Sequence, residues 1–417
     1  MAKLARFGGT PLRTSGFAPW PHFSEEMINA TTEVLRSGKV NYWTGQHCRQ
    51  FEQEYAESLG VKHAIAVSNG TVALELALQA LDIPAEAEVI VASRTFVATA
   101  SAVAMRGCKP VFADIDPESG NVSAETIAPQ INSRTRAIIV VHMAGWPCEM
   151  DPIMELANLH GLSVIEDCAQ AHGSFYKGRP IGSIGHMSCF SFCQDKIMTT
   201  CGEGGMVCTN SSRLWERAWS YKDHGKSWEA VYHREHKTVM RLLHESVGTN
   251  WRMTEMQGAV GRLALQELPQ WIDARRQNAH HLIEKLQMIE GIHVPMPAEH
   301  LHHSYYKCYA TVELTRLAEG WTRDEIVWTL QAEGIPCGSG SCCEIYQEKA
   351  ILDNGWAPKK SLPNAAKMGQ ETLMFQVHPT LTLEDMSQMA AGLAKVMEAA
   401  RSIPLADFQN SSQKAVA

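Results

Sequence analysis

Between residues 60 and 210, short β-branched runs alternate with longer stretches of helical spacing. No other feature constrains the fold as tightly. Parallel strands need crossover helices, the helices cover both faces of the sheet, and the strands then read as nearly unbroken apolar runs. Strands are expected at Ala64–Val67, Glu88–Ala92, Pro110–Ala113, Ala137–Val141 and Leu162–Glu166. Helices are expected over Thr71–Leu81, Val97–Met105, Ala124–Ile131 and Asp151–His160, the last with Asp151 as N-cap and Pro152 at the first helical position. Past Glu166 the rhythm changes, and a glycine-rich turn joins two further strands, Met187–Phe192 and Gly205–Thr209. The pattern is α/β with a mostly parallel sheet.

A chain of 417 residues is longer than one core usually organises. Changes of texture suggest an N-terminal arm (1–25), a large domain (26–290) and a smaller α+β C-terminal domain (291–417). Within the large domain the stretch from Trp215 to Trp251 reads as loop-rich surface, too polar and irregular for core, followed by a long helix over Thr254–Leu286. The C-terminal part offers a strand at Tyr305–Val312 and a helix opening at Thr322 with Glu325 completing a capping box. A Gly-, Ser- and Cys-rich loop from Cys337 to Cys343 follows, and the end from Asp407 to Ala417 is expected to fray.

Composition removes several function classes. Lys and Arg total 37 against 45 Asp and Glu, a formal charge of −8, so no basic excess exists to bind a nucleic acid backbone. Lys3 and Arg6 are followed by no apolar run, and Pro11, Pro19 and Pro21 interrupt the stretch where a secretion signal would lie. The longest apolar run, Ala137–Val141, is far short of the roughly 18 residues of a membrane helix. The 12 cysteines and 18 histidines lack paired Cys-x-x-Cys or His-Glu-x-x-His spacing, so free thiols in a reducing cytoplasm and no metal site are expected.

Three elements carry chemistry. Ser68-Asn69-Gly70-Thr71 lies where a strand meets a helix, and a helix N-terminus offers free amides and partial positive charge to a phosphate; the same residues also make an ordinary N-cap. Glu166-Asp167-Cys168-Ala169-Gln170 ends a buried strand, where open α/β sheets bind ligands. Asp167 there either caps the next segment or meets a protonated ring nitrogen or a metal. Lys196 sits between a buried strand and Gly202-Glu203-Gly204-Gly205, placed to lose water and free its amine for Schiff-base chemistry.

Phosphate turn, acidic strand end and lysine, in that order, are what a pyridoxal 5′-phosphate site on the aspartate aminotransferase fold requires. With these motifs, from Gly8-Gly9-Thr10-Pro11 to Val377-His378-Pro379, the chain resembles the DegT/DnrJ/EryC1/StrS family of sugar aminotransferases. The resemblance implies a large domain with a seven-stranded, mostly parallel sheet, and it assigns roles. Lys196 matches the lysine that joins the cofactor aldehyde and shuttles the substrate proton, and Asp167 the carboxylate that keeps the pyridine nitrogen protonated. Gln170 matches the residue beside the ring hydroxyl and Phe96 the aromatic stacked on the ring. Gly70, Thr71 and Ser191 match the phosphate cup. Asn250 matches an asparagine that reaches the phosphate of the neighbouring subunit, which implies a homodimer with shared sites.

The implied reaction is transfer of an amino group from glutamate or glutamine to a keto-sugar, nucleotide-linked, with a free keto-cyclitol as the alternative acceptor. The second acceptor enters because Cys193-Gln194-Asp195, before the lysine, is nearer to the version in aminocyclitol and aminohydroxybenzoate relatives than to the histidine-containing one. Lys196 itself argues against the branch that replaces the lysine with histidine and dehydrates instead. Acceptor contacts are expected from His224, Tyr306, Lys307 and His378. A non-catalytic scaffold on the same fold would have lost Lys196 or Asp167, and a nicotinamide enzyme would need Gly-x-Gly-x-x-Gly after the first strand, where Ser68-Asn69-Gly70-Thr71 stands instead.

Overall fold

A computed structural model describes residues 3–236 and 242–414. Seven strands form the main sheet: β1 (His63–Val67), β2 (Glu88–Ala92), β3 (Lys109–Ala113), β4 (Thr135–Val141), β5 (Ser163–Asp167), β6 (Met187–Ser191) and β7 (Gly205–Thr209). Their order across the sheet is β1-β7-β6-β5-β4-β2-β3. Neighbours from β3 to β6 run parallel, while β7 is antiparallel to both β6 and β1. The five expected parallel-region strands all form, within two residues of their expected limits. Every residue of β2, β6 and β7 is buried, as a sheet covered on both faces demands.

Local chemistry explains the helix ends. Asn69 caps the Gly70–Leu81 helix, its side chain accepting from Val72 N at 2.9 Å. The expected N-cap at Asp151 is corrected. The helix runs Met150–His160, and the Asp151 carboxylate is drawn out to Lys177 and Arg179. Ala124–Ile131 is half the expected length as α-helix, ending at Ile127 before a 3-10 turn that contains Pro129.

The Trp215–Trp251 stretch is not all surface. It opens inside a helix, Ser212–Lys222, that buries Trp219 and Lys222, with Lys222 Nζ 3.9 Å from the Tyr42 ring centroid; residues 237–241 of the stretch lie outside those described. Aromatic faces that can house a cation made the segment read as too polar. The long helix spans Glu255–Leu286, capped by a reciprocal Thr254–Gln257 box. Glycine is needed where it crosses the His47–Leu59 helix: a Cβ on Gly258 would lie 2.7 Å from Cys48 N, and one on Gly261 2.7 Å from the Phe51 ring.

A second, antiparallel sheet pairs Ile292–His293, Cys308–Val312, Thr372–Phe375 and Cys337–Gly338 in that order. Its apolar core also takes Leu282 and Leu286 of the long helix, and Leu4 and Phe7 of the N-terminal segment. The segment expected as an arm therefore enters a core, and Arg13 pairs with Asp385 at 2.6 Å. The strand expected from Tyr305 starts only at Cys308, because Tyr305 adopts a left-handed φ of 49° that turns the chain. Thr322 caps its helix by accepting from Glu325 N, and the end expected to fray is helical over Leu405–Lys414. No helix among the described residues is long and apolar enough to cross a membrane.

Candidate active site

The carboxyl ends of the strands open into a cavity of about 930 Å³. At one wall the Gly70–Leu81 helix points its first turn at the end of β6; a Cβ on Gly70 would lie 2.6 Å from Ser191 Cβ. That approach brings Gly70, Thr71 and the Ser191 side chain to one rim of the cavity, where the unpaired amides of a helix start suit an anion.

Asp167 ends β5 and is fully buried. Its Oδ2 accepts from Thr99 Oγ1 at 2.9 Å and its Oδ1 from Ala169 N at 3.2 Å, and among the described residues no cation lies within ion-pair distance of it. Burial raises its pKa above the ordinary carboxylate value, against the Thr99 and Ala169 bonds and the field of Lys196. Thr99 is held in turn by Thr95, hydroxyl to hydroxyl at 2.8 Å, from the bend that precedes its helix.

Lys196 is half-buried, facing the same cavity. Its Nζ stands 5.0 Å from the centroid of Tyr306, and its backbone carbonyl accepts from Trp20 Nε1 at 2.8 Å. The Tyr306 hydroxyl donates to the Asp195 carboxylate. Burial pushes the Asp195 pKa up, but the Lys196 charge and the Tyr306 bond bring it below the ordinary value. Lys307 also lines the cavity, and its pKa falls to about 8 through burial, against the charge of Asp195 and with the repulsion of Arg275 and Lys196.

Phe96 lines the cavity while 68% exposed, so its ring is a platform and not core. Gln170 lines it too, its Oε1 fixed by Ala144 N at 2.8 Å and its Nε2 near Ser341 Oγ at 3.5 Å. Of the twelve residues singled out from sequence, nine meet here. Asn250 and His224 do not line this cavity; they are exposed and adjacent, joined by the Asp223–Asn250 bridge and the His224 N to Thr249 O bond of 2.8 Å. His378 does not line the cavity either. It is buried behind Trp20, its ring nitrogens already bonded to Gln376 at 3.0 Å and Thr380 at 2.8 Å.

Sequence reasoning missed Thr95, Thr99, Asp195 and Trp20. Thr95 and Thr99 had a faint signal, two hydroxyls four residues apart on either side of the expected helix start. Trp20 had none, since its contact to Lys196 spans 176 residues.

The residues fit a phosphorylated pyridine cofactor. The helix-start rim suits the phosphate, the exposed Phe96 face a ring, and the under-bonded buried carboxylate of Asp167 a ring cation. A lysine amine shares their cavity. Such a sheet, with this lysine and carboxylate at its strand ends, defines a pyridoxal-phosphate-dependent aminotransferase.

Comparison with known proteins narrows the class. The model of the DegT/DnrJ/EryC1/StrS aminotransferase family matches residues 21–394, and the chain belongs to that family, whose cofactor is pyridoxal 5′-phosphate. The solved structure of an aminotransferase from Psychrobacter cryohalolentis superimposes with a TM-score of 0.91 at 50% identity, over 93% of this chain and 100% of that one. GDP-perosamine synthase of Caulobacter vibrioides is 35% identical over 85% of this chain and 91% of its own length. UDP-N-acetyl-3-dehydro-α-D-glucosamine 3-aminotransferase of Acidithiobacillus ferrooxidans is 33% identical over 91% of this chain and 95% of its own.

Proposed function

We propose that this aminotransferase moves the amino group of glutamate or glutamine onto the ketone of a nucleotide-linked sugar. The observation that carries the reading is the convergence of Lys196 and an under-bonded, buried Asp167 on one cavity of about 930 Å³. That volume is at the upper end of small-molecule sites, about 300–1,000 Å³, and leaves room for a large acceptor beside a ring cofactor. The two relatives with named reactions are a GDP-sugar and a UDP-sugar enzyme.

When bound, the cofactor supplies an aldehyde to carry the amino group and a ring to accept electron density. The chain supplies the rest. Lys196 Nζ takes and returns the proton at the substrate carbon. Asp167 holds the proton on the ring nitrogen, with Thr99 fixing its carboxylate. The Trp20 bond to the Lys196 carbonyl and the Asp195–Tyr306 pair beside it limit where the amine can swing. Lys307, with its lowered pKa, offers a cation for a donor or acceptor anion.

The site is shared in this reading. Asn250 and His224 lie on one exposed ribbon outside their own cavity, and in a homodimer each ribbon completes the other copy's site. Mixing the singly inactive Lys196→Ala and Asn250→Ala variants and allowing subunits to exchange then restores partial activity.

The acceptor is tested by offering donor-loaded enzyme GDP-, UDP- and dTDP-linked keto-hexoses and free keto-cyclitols, with products read by mass. Amination of a nucleotide-linked sugar is expected, and turnover of free cyclitols alone would overturn it. Borohydride reduction of the holoenzyme followed by digestion should place the pyridoxyl label on Lys196, and a label on another lysine would sink the site.

A further inference from the structure

Behind the Tyr309 wall of the active-site cavity lies a second, smaller one of about 40 Å³, between the end of β2, the 117–119 turn and the Cys308–Val312 strand. Arg94 lines it, 3% exposed. Its guanidinium carbon sits 4.5 Å from the Tyr309 centroid, and Nη1 meets the sulfur of Met368 at 2.8 Å, a weak acceptor. Among the described residues neither Nε nor Nη2 has a hydrogen-bond partner. Those two N–H groups form one edge of the guanidinium, the fork that receives both oxygens of a carboxylate.

A buried cation with no counter-charge is costly, and the fold makes room for this one. Gly120 packs against it with a φ of 69°, and any side chain there would collide with Nη1. A second residue of the same lining, Tyr305, is 4% exposed, and its hydroxyl has no hydrogen-bond partner among the described residues. Glu118 and His293 also line the cavity, both solvent-exposed and hydrogen-bonded to each other at 3.0 Å.

We propose that Arg94 and Tyr305 form a binding site for a small oxyanion of the carboxylate type, separate from the cofactor cavity. The volume holds a few waters or one ion of formate or bicarbonate size, and it excludes sugars and nucleotides. The bound ion pairs with the Nε and Nη2 edge of Arg94. Thr95 and Phe96 follow Arg94 directly, and Thr95 holds Thr99 against Asp167, so an ion on Arg94 braces the segment that faces the cofactor.

Titration calorimetry of the holoenzyme with sodium formate, against sodium chloride at constant ionic strength, tests the site with the phosphate rim already filled. Saturable 1:1 binding of formate is expected, at least ten-fold weaker in Arg94→Lys, which keeps the charge and loses the fork, and absent in Arg94→Met. Tyr305→Phe should weaken it several-fold. If Arg94→Met does not fold, Arg94→Lys and Tyr305→Phe decide. Equal heats for formate and chloride would mean that the cavity holds only water, and formate binding unchanged in the Arg94 variants would place the ion elsewhere. Either result overturns the proposal.

Discussion

Glu166 and Asp167 are neighbours at the end of β5, both buried, yet alternation along a strand sends their side chains to opposite faces of the sheet. Glu166 enters a closed pocket where Gly182 N, Ile184 N and Gly185 N donate at 2.9, 2.8 and 2.6 Å and His142 approaches at 3.2 Å. Burial pushes its pKa up, but the His142 bond and these amides carry it below the ordinary value. Asp167 opens to the cavity with one hydroxyl and one amide, and its pKa is raised, burial outweighing both. One carboxylate is fully paid for by its own fold. The other is left short of a cation, and that shortage marks a place kept for a ligand. The same contrast disposes of a metal at His142, Glu166 and Cys168, which lie close together, because the Glu166 oxygens are already committed to amides.

Substitution should separate the two. Asp167→Asn has the largest expected effect on turnover, a loss of about 10²–10⁴-fold, because in the proposed site the ring nitrogen would lose the charge that keeps it protonated. The unliganded variant should be as stable as the parent or more so, since an uncompensated buried charge has gone. Glu166→Gln should do the reverse. It puts an amide NH₂ among N–H donors and costs about 3 kcal/mol in urea unfolding, with turnover per folded molecule largely kept. Equal stability losses in the two variants would break the comparison.

Much of this was legible in the sequence. Strand ends, the turn at Ser68–Thr71 and the lysine each leave local marks, because period, glycine and capping residues act over a few positions. Contacts that close over long separations leave none. Trp20 on the Lys196 carbonyl, Arg94 under Tyr309 and the burial of Lys222 against Tyr42 depend on how distant segments pack. The failure at Trp215–Trp251 has the same cause, since a Trp- and Lys-rich run reads as surface until aromatic faces are found around the ammonium.

The pH dependence follows from the opposite shifts. Glu166, depressed in the fold, contributes stability that is present above its unfolded pKa and lost as pH falls through the folded one. Asp167, raised in the fold, contributes stability that is present below its unfolded pKa, about the ordinary aspartate value of 3.8, and lost as pH rises through the folded one. A cofactor cation removes only the second loss. Stabilisation by pyridoxal phosphate, measured as the difference between holo and apo unfolding, should therefore grow as pH rises across the Asp167 titration. His172 and His378, whose pKa values burial lowers to about 4 and about 3, destabilise both forms as pH falls below about 6.5 and cancel in the difference to first order. A flat difference would show that Asp167 does not meet the cofactor.

The smallest expected effect tests how finely the shortage at Asp167 is set. Thr99→Val keeps the shape of the side chain and removes the 2.9 Å bond to Oδ2. That bond holds the Asp167 pKa down, so its loss should move the pKa further up and leave the carboxylate less willing to ionise without a ring cation. A hydrogen bond to an ionised carboxylate is worth about 1.5–3 kcal/mol, so pyridoxal phosphate should bind at least about ten-fold more weakly. The holo–apo stability difference should begin to rise at a higher pH than in the parent. A Thr99→Ser variant, which restores the donor with a smaller side chain, should return that onset towards the parental pH. If Thr99→Val weakened the cofactor without moving the onset, Thr99 would act by packing alone, and the tuning of Asp167 would have to come from its burial.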